Sequence, residues 1–239
     1  MLRDFNRVTL PRVWAHVPNI ISDTVVEERR PEIGIKESLK KVFSSGRRFW
    51  PLAIWLFIMY GTLMLWQASQ AGSFYRSVYG FSNASAGMMV TMVGVGMVVG
   101  CPLAGRLSDK ILRSRKKVII IGTVAYTIIW GLIWALSGTD MVENAAIQYV
   151  INFLFGFFGG FFVVSYAQIK ELYPIAMAGT STAALNLFPF AGGAILITIA
   201  GFIVSDQTLA QYQTLWLIAF IMTIFASICA FLSVEKGRD

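Results

Sequence analysis

Residues 94–118 read GVGMVVGCPLAGRLSDKILRSRKKV, and this stretch decides the fold. It begins as an apolar helix rich in small residues and ends abruptly in a loop that carries one acid, Asp109, among six bases. A second apolar helix follows from Val118. Such a hairpin is stable when its apolar arms lie in hydrocarbon and its basic turn lies in water near anionic lipid headgroups. The stretch therefore predicts two membrane-spanning helices.

The composition of the whole chain indicates the same class of protein. The 239 residues are 56% hydrophobic and 14% charged, with a net charge of +7 and a mean hydropathy of +0.64. A soluble domain this apolar would expose large apolar patches, so a polytopic membrane protein is the natural class. Since the bases lie in loops beside apolar segments, membrane topology explains them better than a nucleic-acid partner does.

Six apolar segments occur in the chain, each near the roughly 20 residues that a bilayer requires. We predict an all-α polytopic membrane protein whose six transmembrane helices form one bundle over residues 49–239, behind a basic cytoplasmic lead-in over 1–48. The connections between segments are too short to hold a soluble domain. The predicted segments lie at about 51–71, 84–104, 118–137, 146–168, 180–205 and 212–233.

The distribution of bases predicts the orientation of this bundle. The lead-in, the alternate loops and the tail hold 19 of the 20 Lys and Arg residues, and the opposite side holds only Arg76. The positive-inside rule therefore places both ends in the cytoplasm of a multi-pass protein in the cell membrane.

The end of the lead-in predicts a short amphipathic helix. Ile35, Leu39, Val42 and Phe43 are spaced to form one apolar stripe with lysines beside it, which suits a helix lying on a membrane surface. An ordinary linker with a chance stripe is the alternative interpretation.

The basic turn resembles a signature of the major facilitator superfamily (MFS). Its pattern is Gly-x-Leu-(Ser/Ala)-Asp-(Arg/Lys)-x-Gly-Arg-(Arg/Lys), and Leu112 stands where the family usually has glycine. The matching residues are Gly105, Leu107, Ser108, Asp109, Lys110, Arg113 and the cluster Arg115–Lys117.

Other parts of the chain extend this resemblance. The Gly94/Gly96/Gly100 ladder resembles the family's eighth helix, and Lys170–Pro174 with Asn186 resembles the turn between its tenth and eleventh helices. The resemblance covers about residues 49–239 and implies the C-terminal six-helix half of a transporter, whose N-terminal six-helix half would be a separate or missing part. It also implies that Gly105, Asp109, Lys110 and Arg113 form a conformational latch, in which the carboxylate of Asp109 holds Arg113. The alternative is that Asp109 is a solvated charge on the cytoplasmic side of the membrane with no role in a latch.

Small residues and proline mark candidate packing and hinge positions. Gly96 and Gly100 have GxxxG spacing, as do Gly156 and Gly160, and this spacing lets helix backbones approach closely. Such a contact either slides when the helices move or is static close packing. Pro189 interrupts the fifth segment, so a bend there would either gate access or be purely structural.

Neutral polar and aromatic residues are the candidates for contact with a solute. None of the six segments holds a charged residue deep within it, so this part of the chain supplies no intramembrane proton carrier. In the resembled family the first and fourth segments line the central cavity, where amides and rings orient a solute. An interhelical hydrogen bond or an interfacial anchor is the alternative role for each. The candidates are Tyr60, Trp66, Gln67, Gln70, Asn152 and Asn186.

An enzyme, a metal protein and a cofactor protein are all disfavoured. His16 is the only histidine, Cys101 and Cys229 lie inside apolar runs, and there is no paired intramembrane acid or Ser/His dyad. We predict half of a secondary active transporter that moves a small solute by alternating access. The alternative is a membrane-embedded assembly protein without transport.

Overall fold

The computed structural model describes residues 34–139 and 144–236, and every regular element in these ranges is helical. Residues 1–33 of the predicted lead-in, which covers 1–48, lie outside the described part of the chain. The α-helices are α1 (Ile35–Phe43), α2 (Trp50–Met64), α3 (Ala71–Tyr79), α4 (Asn83–Arg106), α5 (Arg115–Leu136), α6 (Ala145–Gly159), α7 (Val164–Leu172), α8 (Ala178–Ile203) and α9 (Leu209–Leu232).

Six helical stretches are long and apolar enough to cross a membrane, which confirms the predicted all-α polytopic class. Several consist of consecutive helices joined by short π-helical or 3-10 segments: Leu65–Gln70 joins α2 to α3, Leu107–Ile111 extends α4, and Gly160–Val163 joins α6 to α7. The spans are Gly46–Tyr79, Asn83–Ile111, Arg115–Leu136, Ala145–Leu172, Ile175–Ile203 and Leu209–Leu232.

Local sequence signals fix the starts of these helices. Ser82 and Ser114 cap the N-termini of α4 and α5, because each side chain accepts a hydrogen bond from a backbone N–H in the first turn. Thr208 forms a reciprocal capping box with Gln211 at the start of α9. Gly80 ends α3 in the left-handed conformation, at φ 69°.

Glycines set the closest helix contacts. A Cβ added to Gly156 on α6 would lie 1.9 Å from the carbonyl oxygen of Val93 on α4, and one added to Gly96 would lie 2.1 Å from that of Phe153. The two GxxxG pairs, Gly96/Gly100 and Gly156/Gly160, thus face each other across one seam between neighbouring helices. A second seam joins α2 to α8, where Gly192 packs against the backbone of Phe57.

Helix α1 is docked on the bundle beside α8. Val42 is fully buried, and Phe43 stacks edge-on against Phe49 with ring centroids 5.3 Å apart. The Ser45 hydroxyl forms a hydrogen bond with the hydroxyl of Tyr173, in the turn before α8. Leu39, Val42 and Phe43 of the predicted apolar stripe therefore pack on the protein itself, whereas Ile35 is 75% exposed.

Candidate functional site

Two of the predicted solute-contact residues lie inside the bundle. Trp66 and Asn152 are 1% and 0% exposed, and the indole N–H of Trp66 donates to Asn152 Oδ1 at 2.9 Å. Asn152 Nδ2 donates to the Tyr75 hydroxyl at 2.6 Å, and that hydroxyl donates to Gln148 Oε1 at 2.9 Å. These four residues form the interior network, which ties the first span to the fourth.

Aromatic rings enclose the interior network. The ring of Trp66 lies 5.0 Å from that of Trp216 on α9 and 5.7 Å from that of Trp130 on α5. Phe155 and Phe74 complete the shell, at 5.6 Å and 6.3 Å. Edge-on and tilted ring contacts of this kind hold Trp66 in one orientation.

Gln67 and Gln70 lie on the π-helical segment of the first span. Gln70 Nε2 donates to the Ser69 hydroxyl at 2.8 Å. Gln67 Oε1 is buried and accepts no hydrogen bond from the described part of the chain. Since π-helical turns recur at functional sites, the buried Oε1 of Gln67 is a candidate acceptor.

Tyr60 and Asn186 lie on a different surface, which we call the open face. The Tyr166 hydroxyl on α7 donates to Asn186 Oδ1 on α8 at 2.7 Å. Tyr60 on α2 packs edge-on against Phe162, with centroids 5.2 Å apart, and Phe190 beside it is 63% exposed. Three spans therefore present aromatic rings and an amide side by side outside the packed core.

Charged side chains are concentrated at the ends of the spans. Each Asp, Glu, Lys and Arg within the six described spans lies within six residues of a span end. The open face itself is neutral. A ligand held there would be bound through ring faces, one hydroxyl and one amide rather than through an ion pair.

A cluster of charges surrounds Arg115 at the start of α5. Its guanidinium forms ion pairs with Asp109, on the turn after α4, and with Glu171 at the end of α7, the latter at 3.1 Å. The Arg115 side chain is only 12% exposed, and it also donates to the Ser108 hydroxyl. We call these residues the charge cluster. It connects the second, third and fourth spans.

The segment after α9 is attached to this cluster. Glu235 accepts hydrogen bonds from the Ser114 hydroxyl at 2.6 Å and from the backbone N–H of Arg115. Gln168 Nε2 on α7 donates to the Val234 carbonyl at 2.8 Å. A carboxylate at this position is favoured, because the N-terminus of α5 carries a partial positive charge.

The predicted latch residues occupy the same turn, with a different basic partner for the acid. The structure gives Asp109 an ion pair with Arg115, whereas the sequence pattern had suggested Arg113. Arg113 is exposed and has φ 48°, so it serves as the left-handed residue of the turn, one position after Leu112. Lys110 is exposed, and a Cβ added to Gly105 would meet open space.

Pro189 lies inside the continuous helix α8 and is buried. Sequence reasoning missed Tyr75 as the partner of Asn152 and Gln148, and it missed Glu171 and Glu235 as partners of Arg115. Their only signal was residue type, a polar group within or beside an apolar span. Pairing across more than 50 positions has no local sequence signature.

Comparison with protein families assigns the chain to a family. The family model described as Major Facilitator Superfamily matches residues 72–239. No curated protein matches the chain.

Proposed function

Because the chain belongs to the major facilitator superfamily, we propose that it is one six-helix half of a secondary active transporter that moves a small solute across the cell membrane by alternating access. The observation that carries this proposal is the open face, where Tyr60, Tyr166 and Asn186 come together from three spans. The family consists of transporters rather than enzymes.

The polarity of the exposed faces supports an aqueous cavity next to α8. An exposed amide such as Asn186 is costly against lipid, where no water satisfies its remaining hydrogen-bonding groups. The outer face of α9 presents Ile221, Ile224 and Ile228 instead, which suit hydrocarbon. We propose that the open face lines a water-filled cavity completed by a second six-helix half, and that the α9 face meets lipid.

The placement of charges supports the proposed orientation and latch. The bases lie in every second connection between spans, so they share one side of the membrane. The positive-inside rule assigns that side, and both termini, to the cytoplasm. There the Asp109 turn would contact the second half in one of the two access states. Arg115 holds the turn in place from the third span, and rocking of the two halves would make and break its outer contacts.

The solute we propose is small and neutral, or bound through a neutral part. Tyr60 and Phe190 offer ring faces, and the Tyr166–Asn186 pair offers polar atoms at one edge. Gln67 is the further candidate, since its carbonyl oxygen has no donor in the described part of the chain.

Cysteine accessibility tests the cavity directly. Asn186 lies eight residues after the start of α8, and Ile224 lies eight residues before the end of α9, so both have the same depth in adjacent antiparallel spans. Asn186→Cys and Ile224→Cys are made in a background with Cys101→Ala and Cys229→Ala. Both are treated with a membrane-impermeant methanethiosulfonate reagent in membranes that contain the protein in its natural assembly.

We expect Asn186→Cys to react and Ile224→Cys to stay unmodified, because thiolate chemistry requires water. If Asn186→Cys reacts with the reagent added on one side of the membrane and not with the reagent added on the other side, the result would further support alternating access. If neither residue reacts from either side, the open face meets lipid or packed protein, and the transporter proposal fails.

A further inference from the structure

The docked segment before the first span forms a cationic surface. Helix α1 buries Ser38 and Val42 against the bundle and leaves its other side outside. The 3-10 turn Gly46–Arg48 follows and leads directly into α2 at Trp50. The exposed bases of this segment, which we call the α1 platform, are Lys36, Lys40, Lys41, Arg47 and Arg48.

Little acid in the described part of the chain neutralises this platform. Lys41 pairs with Glu37 at 2.8 Å, one turn away on the same helix. The ion pairs found within residues 34–139 and 144–236 include none for Lys36, Lys40, Arg47 or Arg48. Within the described part of the chain, these four cations have no acidic partner and can therefore attract an external anion.

The platform is held rigidly rather than tethered. The ring of Phe49 contacts those of Phe43 and Phe188, at 5.3 and 5.7 Å, and the indole N–H of Trp50 donates to the Phe43 carbonyl at 3.0 Å. The hydrogen bond between Ser45 and Tyr173 anchors the corner between α1 and the 3-10 turn. Burial raises the pKa of the Tyr173 phenol above its ordinary value.

The position of the platform relative to the span identifies its partner. Arg47 and Arg48 lie at the beginning of the first span, and Trp50, which is 40% exposed, is the type of residue that marks the level of lipid headgroups. Cations at this level are attracted to anionic lipid in the adjacent leaflet. We propose that the α1 platform is a binding site for the headgroup of an anionic glycerophospholipid.

Native mass spectrometry of the full-length protein, titrated with phosphatidylglycerol or phosphatidylcholine in detergent, tests this site. The test variant is Lys36→Gln/Lys40→Gln/Arg47→Gln/Arg48→Gln, in which all four residues are exposed, so the fold is retained. The matched control removes four bases from the helix ends on the same side: Arg106→Gln/Lys116→Gln/Lys117→Gln/Lys170→Gln.

We expect the apparent Kd for phosphatidylglycerol to rise at least about tenfold in the platform variant and less than about threefold in the control. Binding of phosphatidylcholine should stay weak in all three proteins. An equal loss in both variants would mean diffuse attraction by net charge, and no loss in the platform variant would mean binding elsewhere. Either result overturns the proposal.

A second variant tests the rigid docking. Val42→Asn keeps every charge but places a polar group in the buried contact of α1. Weaker binding of phosphatidylglycerol, together with faster proteolysis at Lys40 and Lys41, supports a preorganised site. Faster proteolysis with unchanged binding would show that a flexible basic segment is sufficient.

Discussion

The interior network and the open face contain the same kinds of side chain in opposite settings. Trp66 and Tyr75 are buried and both hydrogen-bonded to the buried Asn152, whereas Asn186 is exposed and, among the described residues, is bonded to the half-buried Tyr166 alone. The interior network holds spans together, and the open face leaves polar atoms available. The comparison shows that in an apolar bundle the role of an amide depends on burial and partners more than on residue type.

The largest effect should come from adding atoms where two helices already touch. Gly156→Val places a side chain against the Val93 carbonyl, 1.9 Å from the new Cβ, so α4 and α6 must separate. We expect a loss of about 3 kcal/mol in the free energy of unfolding. Gly94→Val is the control, because a Cβ there meets open space. Equal melting temperatures for the two purified variants would contradict the seam.

The next largest effect should come from the interior network itself. Asn152→Leu leaves the Trp66 N–H without its acceptor inside the aromatic shell and removes the donor to the Tyr75 hydroxyl, which still donates to Gln148. We expect a destabilisation of about 2 kcal/mol, since buried polar groups without partners are costly even though single hydrogen bonds in membranes are modest. Denaturant titration in mixed micelles measures this. A neutral result would mean that the network is dispensable.

Much of the fold could be predicted from the sequence because apolar length is a strong signal in membrane proteins. Lipid leaves helices as the only open solution for such segments, and the run 118–137 indicates the third span to within about three residues. The first and second spans extend well beyond the predicted ends at residues 71 and 104, to Tyr79 and Ile111. The seam glycines could also be predicted as packing positions, because GxxxG is a local pattern: its two glycines lie one turn apart on the same face of one helix.

The candidate site was harder to predict, because its pairings are long-range. Residue type placed Trp66 and Asn186 in one group of candidates, yet one is buried and the other is exposed. Likewise the motif favoured Arg113 as the partner of Asp109, whereas the turn geometry places Arg115 there. Which face of a helix meets another helix depends on the rotation of each span, and apolar sequence all around a helix does not encode that rotation.

A smaller effect should come from the charge cluster, which lies at the water boundary. Arg115→Gln removes the ion pairs with Asp109 and Glu171, and the carboxylate of Asp109 is half exposed. We therefore expect a loss of about 1 kcal/mol, reduced by solvent screening. Arg113→Gln is the matched control and should change stability by less than about 0.5 kcal/mol. Thermal unfolding at low and high salt measures both, and a larger loss for Arg113→Gln would reverse the assignment.

The smallest effect on stability should come from the open face, and this result would sharpen the comparison most. Asn186→Leu removes the acceptor of the Tyr166 hydroxyl, but that hydroxyl keeps access to water if a cavity lies beside it. We expect a change below about 0.5 kcal/mol, against about 2 kcal/mol for Asn152→Leu. The same denaturant titration applies to both variants, so the difference between two asparagines substituted in the same way is measured directly. A loss as large as that of Asn152→Leu would mean that the Tyr166–Asn186 pair is also a structural contact sealed from water, and the open face could then not serve as the wall of an aqueous cavity.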